Sequence, residues 1–190
     1  MMAERERRFF EALKQRLRTE PPRAFEVPGV NLKEAAVLAP IYWEHDEPWV
    51  MLTARPLTMR KHPGQLSFPG GGKEVADLTP LHTALRETEE ELGIAPSAVD
   101  VLGMLGAMPT ITSFWVTPFV GAVVPNVTLN VNTHEIDELV RAPLWRLRSE
   151  KRVFYGAPRD ALVWEGTRHA VWGVTHRLMN DLLRHVNALR

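Results

Sequence analysis

The feature that most constrains this chain is a run of glycines that leads into a strongly acidic segment, within residues 70–94. Thr79 is a natural N-cap, Pro80 suits the first helical position and Gly93 suits the C-terminal stop. These residues predict a helix between them. At about 100° per residue, small and apolar residues share one face of this helix: Leu81, Ala84, Leu85, Thr88 and Leu92. The opposite face is charged: Arg86, Glu87, Glu90 and Glu91.

Two carboxylates on the charged face are spaced so that they meet. Glu87 and Glu91 are four residues apart, and like charges at this spacing cost an isolated helix a few tenths of a kcal/mol. A divalent cation would offset that repulsion, because hard cations prefer oxygen ligands and are often bound by carboxylates together with substrate phosphates. An ordinary solvated acidic face, or an acidic interaction module without metal, is the alternative on the carboxylates alone. Glu89 falls between the two faces and is expected to point to solvent.

The order of residues in this helix resembles a known signature. Residues 86–94 read Arg-Glu-Thr-Glu-Glu-Glu-Leu-Gly-Ile, which is similar to the Nudix hydrolase pattern R-E-U-x-E-E-x-G-U, where U is a bulky apolar residue. Thr88 is a polar residue at the first U position. Together with the glycine and the acidic residue that begin the signature, nine constrained positions in this order are far more specific than one carboxylate pair.

The start of the signature departs from the common form G-x5-E-x7-R. Five residues separate Gly71 from Asp77, and eight separate Asp77 from Arg86. The box is therefore one residue longer than usual and has Asp in place of Glu. Counting from Gly72 would put Leu78 at the acidic position, so we prefer the register that begins at Gly71.

The resemblance implies a metal site and assigns roles to residues. Glu87, Glu90 and Glu91 would hold one to three Mg²⁺ or Mn²⁺ ions, and the Gly71 carbonyl would add a ligand. Arg86 is expected to orient a glutamate rather than to touch substrate.

The resemblance leaves the general base open. It can be a box glutamate or a downstream acid, for which Glu135 and Glu138 are the candidates. His82 and His134 are further options.

A second pattern precedes the glycines. Residues 51–71 resemble L-L-T-x-R-[SA]-x3-R-x3-G-x3-F-P-G-G, which is typical of Nudix enzymes that act on coenzyme A. The departures are Met51 for Leu and Pro56 for Ser or Ala, and proline has no backbone N–H with which to contact substrate. Coenzyme A carries a diphosphate and a 3′-phosphate, which basic side chains and close backbone approach can bind. The expected substrate-binding residues are Arg55, Arg60, Lys61, His62, Gly70 and Gly72.

Composition bounds the remaining possibilities. The 190 residues contain 23 basic and 23 acidic side chains, so a net charge of zero argues against bulk nucleic-acid binding. The absence of cysteine excludes disulfides, thiolate zinc sites and a cysteine nucleophile. No apolar run approaches the roughly 20 residues that span a membrane, and the charged N-terminus lacks a signal core. We therefore expect a cytoplasmic protein that does not associate with membranes.

The apolar patterning predicts mixed secondary structure. Helices are expected at residues 4–18 and about 174–189, strands at 35–42, 49–54, 99–105 and 115–124, and a late hairpin at 153–155 and 161–164. Residues 134–140 could form a short helix or strand. We expect the first helix and its proline-rich arm, within residues 1–30, to be peripheral to the core or to lie at a subunit contact.

Helices before, between and after the strands indicate a layered α/β arrangement. The resemblance narrows this to the Nudix α/β/α sandwich with a mixed, curved sheet. We treat residues 1–190 as a single domain, with residues 70–94 as the Nudix box.

The function that follows is metal-dependent hydrolysis of the diphosphate of coenzyme A or acyl-coenzyme A. The expected products are adenosine 3′,5′-bisphosphate and 4′-phosphopantetheine or its acyl form. One alternative is another diphosphate substrate, such as ADP-ribose or a nucleoside polyphosphate. A non-catalytic nucleotide sensor on the same fold is the other, although such proteins typically lose a box glutamate. The resemblance also suggests a homodimer.

Overall fold

The computed structural model describes residues 4–20, 22, 31–56 and 64–190. Its elements in chain order are α1 (Glu4–Thr19), β1 (Lys33–Glu44), β2 (Glu47–Ala54), β3 (Leu66–Ser67), β4 (Gly70–Gly72), α2 (Pro80–Leu92), β5 (Val99–Met104), β6 (Met108–Pro109), β7 (Phe114–Val123), β8 (Glu138–Pro143), β9 (Arg148–Phe154), β10 (Ala157–Val163) and α3 (Gly173–Asn187). Short 3₁₀ turns cover Pro96–Ala98 and Leu144–Arg146.

The central sheet is mixed, as predicted. β1 runs parallel to β7, whereas β2 and β4 pair antiparallel with β1, and β5 and β6 pair antiparallel with β7. Strands β3 and β8 add to β2, also antiparallel. Chain-adjacent strands pair at β1–β2, β2–β3 and β6–β7, whereas the pairings of β1 with β4 and β7 and of β2 with β8 join strands that are not adjacent in the chain.

Alternate residues of β1 face two different helical layers. Ala39 and Ile41 belong to the main apolar cluster, which also contains the buried residues of α1 and α3. Ala36 and Leu38 point the other way and pack with Ala84 of α2. The period of two along a strand thus places α2 on one face and α1 with α3 on the other, which gives three layers.

The glycine-rich segment fills a fork between two strands. Near the turn, Ile41 of β1 pairs with Val50 of β2, but beyond that point the two strands pair with different partners. β2 pairs with β3 and β1 pairs with β4, so residues 66–72 lie between them. At Gly70, which has φ +153°, a Cβ would lie 2.4 Å from the Ala36 carbonyl oxygen. Glycine is therefore required for the close approach that anchors this segment.

Helix α2 begins and ends where the capping residues predict. The Thr79 side chain accepts a hydrogen bond from the His82 N–H, and Gly93 closes the helix in the left-handed region with φ +72°. Thr88 is fully buried, although it is polar. Its hydroxyl donates to the Ala84 carbonyl at 2.7 Å, which satisfies the donor inside the core.

A buried aspartate fixes the loop before α2 to the helix itself. The Asp77 carboxylate accepts hydrogen bonds from the Glu74 N–H, the Thr83 hydroxyl and the Arg86 guanidinium. The Arg86 hydrogen bonds, chiefly, hold the pKa of Asp77 well below its usual range, although burial opposes them. Asp77, the acidic residue of the longer box, therefore pairs with Arg86, the arginine of the signature.

Helix α1 is part of the core, so the prediction that it would be peripheral is wrong. Phe9, Phe10, Leu13 and Leu17 are buried in the main cluster. Phe9 also contacts the rings of Trp43 and Trp145 at centroid distances of 5.3 and 5.9 Å. The amphipathic stripe covers sheet surface that would otherwise be exposed.

Two other segments differ in detail from the sequence prediction. The late hairpin forms, but it turns at Tyr155 and Gly156, both at positive φ, rather than across residues 156–160. Residues 133–135 form a turn, and the strand begins only at Glu138. Within the described ranges, no helix is long and apolar enough to cross a bilayer.

Leu13→Ala should lower the free energy of unfolding by about 2–5 kcal/mol, because it opens a cavity in the main cluster. Gln15→Ala, an exposed position of the same helix, is the control and should change stability little. Urea unfolding followed by circular dichroism measures both. Equal stability of the two variants would show that α1 is not a structural part of the core.

Asp77→Asn should destabilise the protein at pH 7 by about 3 kcal/mol, because it breaks a buried, hydrogen-bonded ion pair. A lowered carboxyl pKa contributes stability that is present above the unfolded pKa of about 3.9 and is lost as pH falls through the native one. The difference between wild type and variant should therefore shrink below about pH 4. Urea unfolding at several pH values measures it. Asp160→Asn, at an exposed pair with Lys151, should change little at any pH.

Candidate active site

The acidic face of α2 lies against the glycine strand. A Cβ built on Gly71 would lie 2.4 Å from the Glu87 Oε1 atom, so the Glu87 carboxylate sits directly against this backbone. Burial, as the largest influence, raises the pKa of Glu87 despite the neighbouring Arg86. The fork between β1 and β2 therefore delivers the predicted Gly71 to the predicted glutamate.

Arg86 contacts two of the glutamates on this face. Its guanidinium donates to Glu87 Oε1 at 2.9 Å and to Glu90 Oε2 at 2.8 Å. It also donates to the Gly72 carbonyl at 3.3 Å and twice to Asp77. The hydrogen bonds that Arg86 donates to Asp77, chiefly, raise the pKa of Arg86 above its ordinary value. The side chain is thus a fixed cation that holds two carboxylates and the glycine strand in one arrangement.

Glu91 has the most perturbed carboxyl group of this face. Burial, followed by the charges of Glu87 and Glu135, raises its pKa to about 8. A hydrogen bond from the Gly70 backbone and the charge of Arg55 act in the opposite direction. In the described part of the chain, its Oε2 atom is buried and has no hydrogen-bond partner. A carboxylate placed this way is costly unless a cation accompanies it.

The donor set fits a hard divalent cation. Among residues 4–20, 22, 31–56 and 64–190, no group of three or more Asp, Glu or His side chains is placed so that it could hold a metal ion by itself. The orphaned Glu91 oxygen, the Glu87 carboxylate beside Gly71 and the nearby Glu90 nevertheless present only oxygen ligands, which Mg²⁺ and Mn²⁺ prefer. Mg²⁺ commonly uses one or two carboxylates and completes its shell with water and substrate phosphates.

The two downstream acids have different surroundings. Glu135 is exposed, and its charge acts on both Glu87 and Glu91. Glu138 instead accepts hydrogen bonds from Arg168 at 2.5 Å and pairs with His169 at 3.2 Å. Burial opposes these partners, yet together they lower the pKa of Glu138. The geometry therefore brings Glu135, rather than Glu138, to the acidic face of α2.

The basic loop is described only at its two ends. Arg55 lies at the end of β2, its N–H donates to the Gln65 carbonyl, and its charge reaches Glu91. The predicted substrate-binding residues Arg60, Lys61 and His62 lie outside the described residues. Gly72 takes part through the carbonyl that Arg86 contacts, and Gly70 through its N–H.

The remaining sequence candidates lie elsewhere. His82 is exposed near the start of α2, and His134 lines a cleft of about 370 Å³ with Glu89 and Glu90. Trp172, the residue before α3, is buried against Phe154 at a centroid distance of 4.8 Å and is a core residue.

Sequence reasoning missed three groups that act on predicted residues. The pairing of Asp77 with Arg86 spans nine residues, a contact that helical spacing does not reveal. Arg168 and His169 meet Glu138 across about 30 residues. Asn132 donates its N–H to the Glu91 carbonyl at 3.0 Å. Of these, only the polar, asparagine-rich loop around Asn132 left a visible signal in the sequence.

Comparison with known proteins places this site in a family. The model of the NUDIX domain matches residues 32–159. A protein of Klebsiella pneumoniae (strain 342) named "Uncharacterized Nudix hydrolase NudL" is 36% identical over 180 residues, which are 92% of this chain and 91% of that protein. The protein of the same name from Salmonella paratyphi B is 34% identical over 159 residues, 80% of this chain and 82% of that one.

Solved structures share the fold at low identity. A MutT/nudix family protein from Enterococcus faecalis superposes with a TM-score of 0.54 at 15% identity, over 94% of this chain and 68% of that one. The binary complex of a Caenorhabditis elegans Ap4A hydrolase gives a TM-score of 0.51 at 16% identity, over 58% and 80%. Together with the matched domain, these likenesses make the chain a member of the Nudix hydrolase family, a pyrophosphohydrolase that acts on phosphorus anhydrides.

Proposed function

We propose that this Nudix enzyme hydrolyses the diphosphate of coenzyme A or acyl-coenzyme A to adenosine 3′,5′-bisphosphate and 4′-phosphopantetheine or its acyl form. The observation that carries the proposal is the pattern over residues 51–71, which keeps the spacing from Arg55 to Gly71. Arg55 follows the last residue of β2 and its charge reaches Glu91, so this pattern adjoins the acidic face of α2.

The acidic face supplies the metal ligands in this proposal. Glu87, Glu90 and Glu91, with the Gly71 carbonyl, hold Mg²⁺ or Mn²⁺. Such ions polarise phosphoryl oxygens and lower the pKa of a bound water. Arg86 keeps Glu87 and Glu90 in place, because its guanidinium contacts both. Among the described residues, no group hydrogen-bonds to the buried Oε2 atom of Glu91, which supports its role, with Glu87, as one of the two firmest ligands.

Glu135 is the general base that the geometry favours. It is exposed to solvent, from which the attacking water comes, and its charge acts on Glu87 and Glu91. Glu138 is the weaker choice, because Arg168 and His169 already occupy its carboxylate. A base must reach the water it deprotonates, either directly or through one further water.

The basic loop supplies the substrate contacts in this proposal. Arg55, Arg60, Lys61 and His62 match the phosphates of coenzyme A, and arginine forks bind phosphate oxygens in pairs. Gly72, where an added Cβ would meet only Phe114 at 3.9 Å, leaves room for the diphosphate beside the backbone, whereas the close packing of Gly70 on Ala36 holds this strand in place.

The alternative substrate is another nucleoside diphosphate derivative, such as ADP-ribose. Pro56 is the observation that favours it, because the coenzyme A pattern has Ser or Ala there and proline removes a backbone donor. A nucleotide sensor is disfavoured, since the acidic helix keeps Glu87, Glu90 and Glu91, although the box has Asp77 in place of Glu. A single domain over residues 1–190, a homodimer and a cytoplasmic location stay predictions from the sequence.

The product assay that decides the substrate uses coenzyme A, an acyl-coenzyme A, ADP-ribose and a dinucleoside polyphosphate, each with Mg²⁺ and with Mn²⁺. We expect the highest kcat/KM for coenzyme A or its acyl ester, with adenosine 3′,5′-bisphosphate identified by mass. A preference for ADP-ribose would discard the substrate assignment but keep the box chemistry. No turnover of any member would contradict catalysis itself.

Glu91→Gln should reduce kcat roughly 100-fold or more, because it removes charge from the metal and from the transition state. Glu89→Gln is the matched control, since Glu89 is exposed on the same helix, and it should keep near-normal turnover. Calorimetric titration with Mn²⁺ should show weakened binding only for Glu91→Gln. Normal turnover of that variant, or activity of the wild type in excess chelator, would contradict the metal assignment.

Arg60→Ala should weaken coenzyme A more than 3′-dephospho-coenzyme A, because only the former carries the 3′-phosphate. Arg60→Lys keeps the charge but loses the fork, so it should have an intermediate effect. The measurement is kcat/KM for both substrates with all three proteins. Equal losses for the two substrates would show that Arg60 does not contact the 3′-phosphate.

A further inference from the structure

Residues 130–137 form a segment that is fastened to the catalytic elements at both of its ends. At one end, the Asn130 N–H donates to the Leu92 carbonyl at 2.9 Å and the Asn132 N–H to the Glu91 carbonyl at 3.0 Å. At the other end, the Asp137 N–H donates to the Ala54 carbonyl at 3.0 Å. The segment therefore connects the last turn of α2, which includes Glu91, to the end of β2.

Asn132 makes contacts in three directions. Besides its N–H bond to the Glu91 carbonyl, its side-chain oxygen accepts the His134 N–H at 3.1 Å. Its own carbonyl accepts the Glu135 N–H at 3.1 Å and the Ile136 N–H at 3.0 Å. An asparagine that bonds the backbone two residues on forms a local turn, which fixes the residues that follow. One residue thus joins the backbone of Glu91 to the backbone of Glu135.

Ile136, the residue after Glu135, anchors the turn in the core. Ile136 is buried, and it shares an apolar cluster with Leu92 and Ile94 from the end of α2. Glu135 itself is exposed, so its position depends on the backbone rather than on packing of its side chain. An exposed glutamate on a freely moving turn would lose its orientation, since side-chain and backbone freedom are each worth about 1–2 kcal/mol per residue.

We propose that Asn132 is a positioning residue for the hydrolysis, which holds the Glu135 carboxylate beside the acidic face of α2. The inference rests on the catalytic role proposed for Glu135, and it does not depend on the identity of the diphosphate substrate. Asn132 acts through Glu135 and does not itself contact the reacting atoms.

The first experiment measures kcat and KM of Asn132→Ala, Asn132→Asp and Asn130→Ala. The substrate is coenzyme A, or ADP-ribose if coenzyme A is not turned over. Asn132→Ala keeps the backbone bonds but removes the acceptor for the His134 N–H, so kcat should fall roughly tenfold with little change in KM. Asn132→Asp retains an acceptor and should restore most of the loss. Asn130→Ala is the matched control, because Asn130 binds Leu92 through its backbone N–H, and its kcat should stay within twofold of wild type.

The second experiment tests whether Asn132 works through Glu135. In the Glu135→Gln background, adding Asn132→Ala should lower kcat by less than a further twofold, because the group it positions is already inactive. A purely structural contribution would give the same tenfold loss in both backgrounds. Thermal unfolding of each variant, followed by circular dichroism, checks that the loss of activity is not a loss of folded protein.

Four results would overturn the inference, and they are distinguishable. Normal kcat of Asn132→Ala together with impaired Glu135→Gln would overturn the positioning role alone. Equal losses from Asn132→Ala in both backgrounds, or no recovery in a folded Asn132→Asp, would do the same. Normal kcat of Glu135→Gln would overturn both the base assignment and the positioning role that rests on it.

Discussion

The arrangement of the site depends on the ion pair between Asp77 and Arg86. The Asp77 side chain is only 1% exposed, and it accepts two guanidinium hydrogen bonds while it also ties down the loop before α2. With its far side so fixed, Arg86 reaches Glu87, Glu90 and the Gly72 carbonyl. A single cation thereby offsets the repulsion between neighbouring carboxylates and aligns the helix with the glycine strand. Arginine suits this position because its planar fork offers five donors in fixed directions.

The contacts of Arg86 also depend on the position of the glycine strand β4, because one of them is with the Gly72 carbonyl. The divergence of β1 and β2 leaves room for residues 66–72, and Phe68 fills the space between them as a buried side chain. Gly71 then approaches Glu87 more closely than any side chain would permit. The site thus lies where the acidic face of α2 meets the glycine strand β4, and the core supports both elements.

Arg86 offsets only part of the negative charge on the acidic face. Arg86 contacts Glu87 and Glu90, whereas Glu91 is half-buried, its pKa is raised to about 8, and its Oε2 atom has no hydrogen-bond partner among the described residues. Carboxyl groups with perturbed pKa values are typical of functional sites. Burial provides the largest part of that shift, so the fold has placed an acid where a cation would stabilise it. The placement of Glu135 on the neighbouring turn adds negative charge at the same point.

The sequence by itself determined the local structure and the chemical class. The bounds of α2 follow from Thr79, Pro80 and Gly93, and the signature follows from the order of residues 86–94. The apolar patterning predicts the main strands. All of these features depend only on residues that are neighbours along the chain. The tertiary structure determines which side chains from different segments contact one another. Asp77 with Arg86, Arg168 and His169 with Glu138, and Asn132 with Glu91 are contacts between segments, so no helical or strand periodicity encodes them. The burial of α1 is of the same kind: its apolar stripe was visible in the sequence, but only the packed sheet shows what the stripe covers.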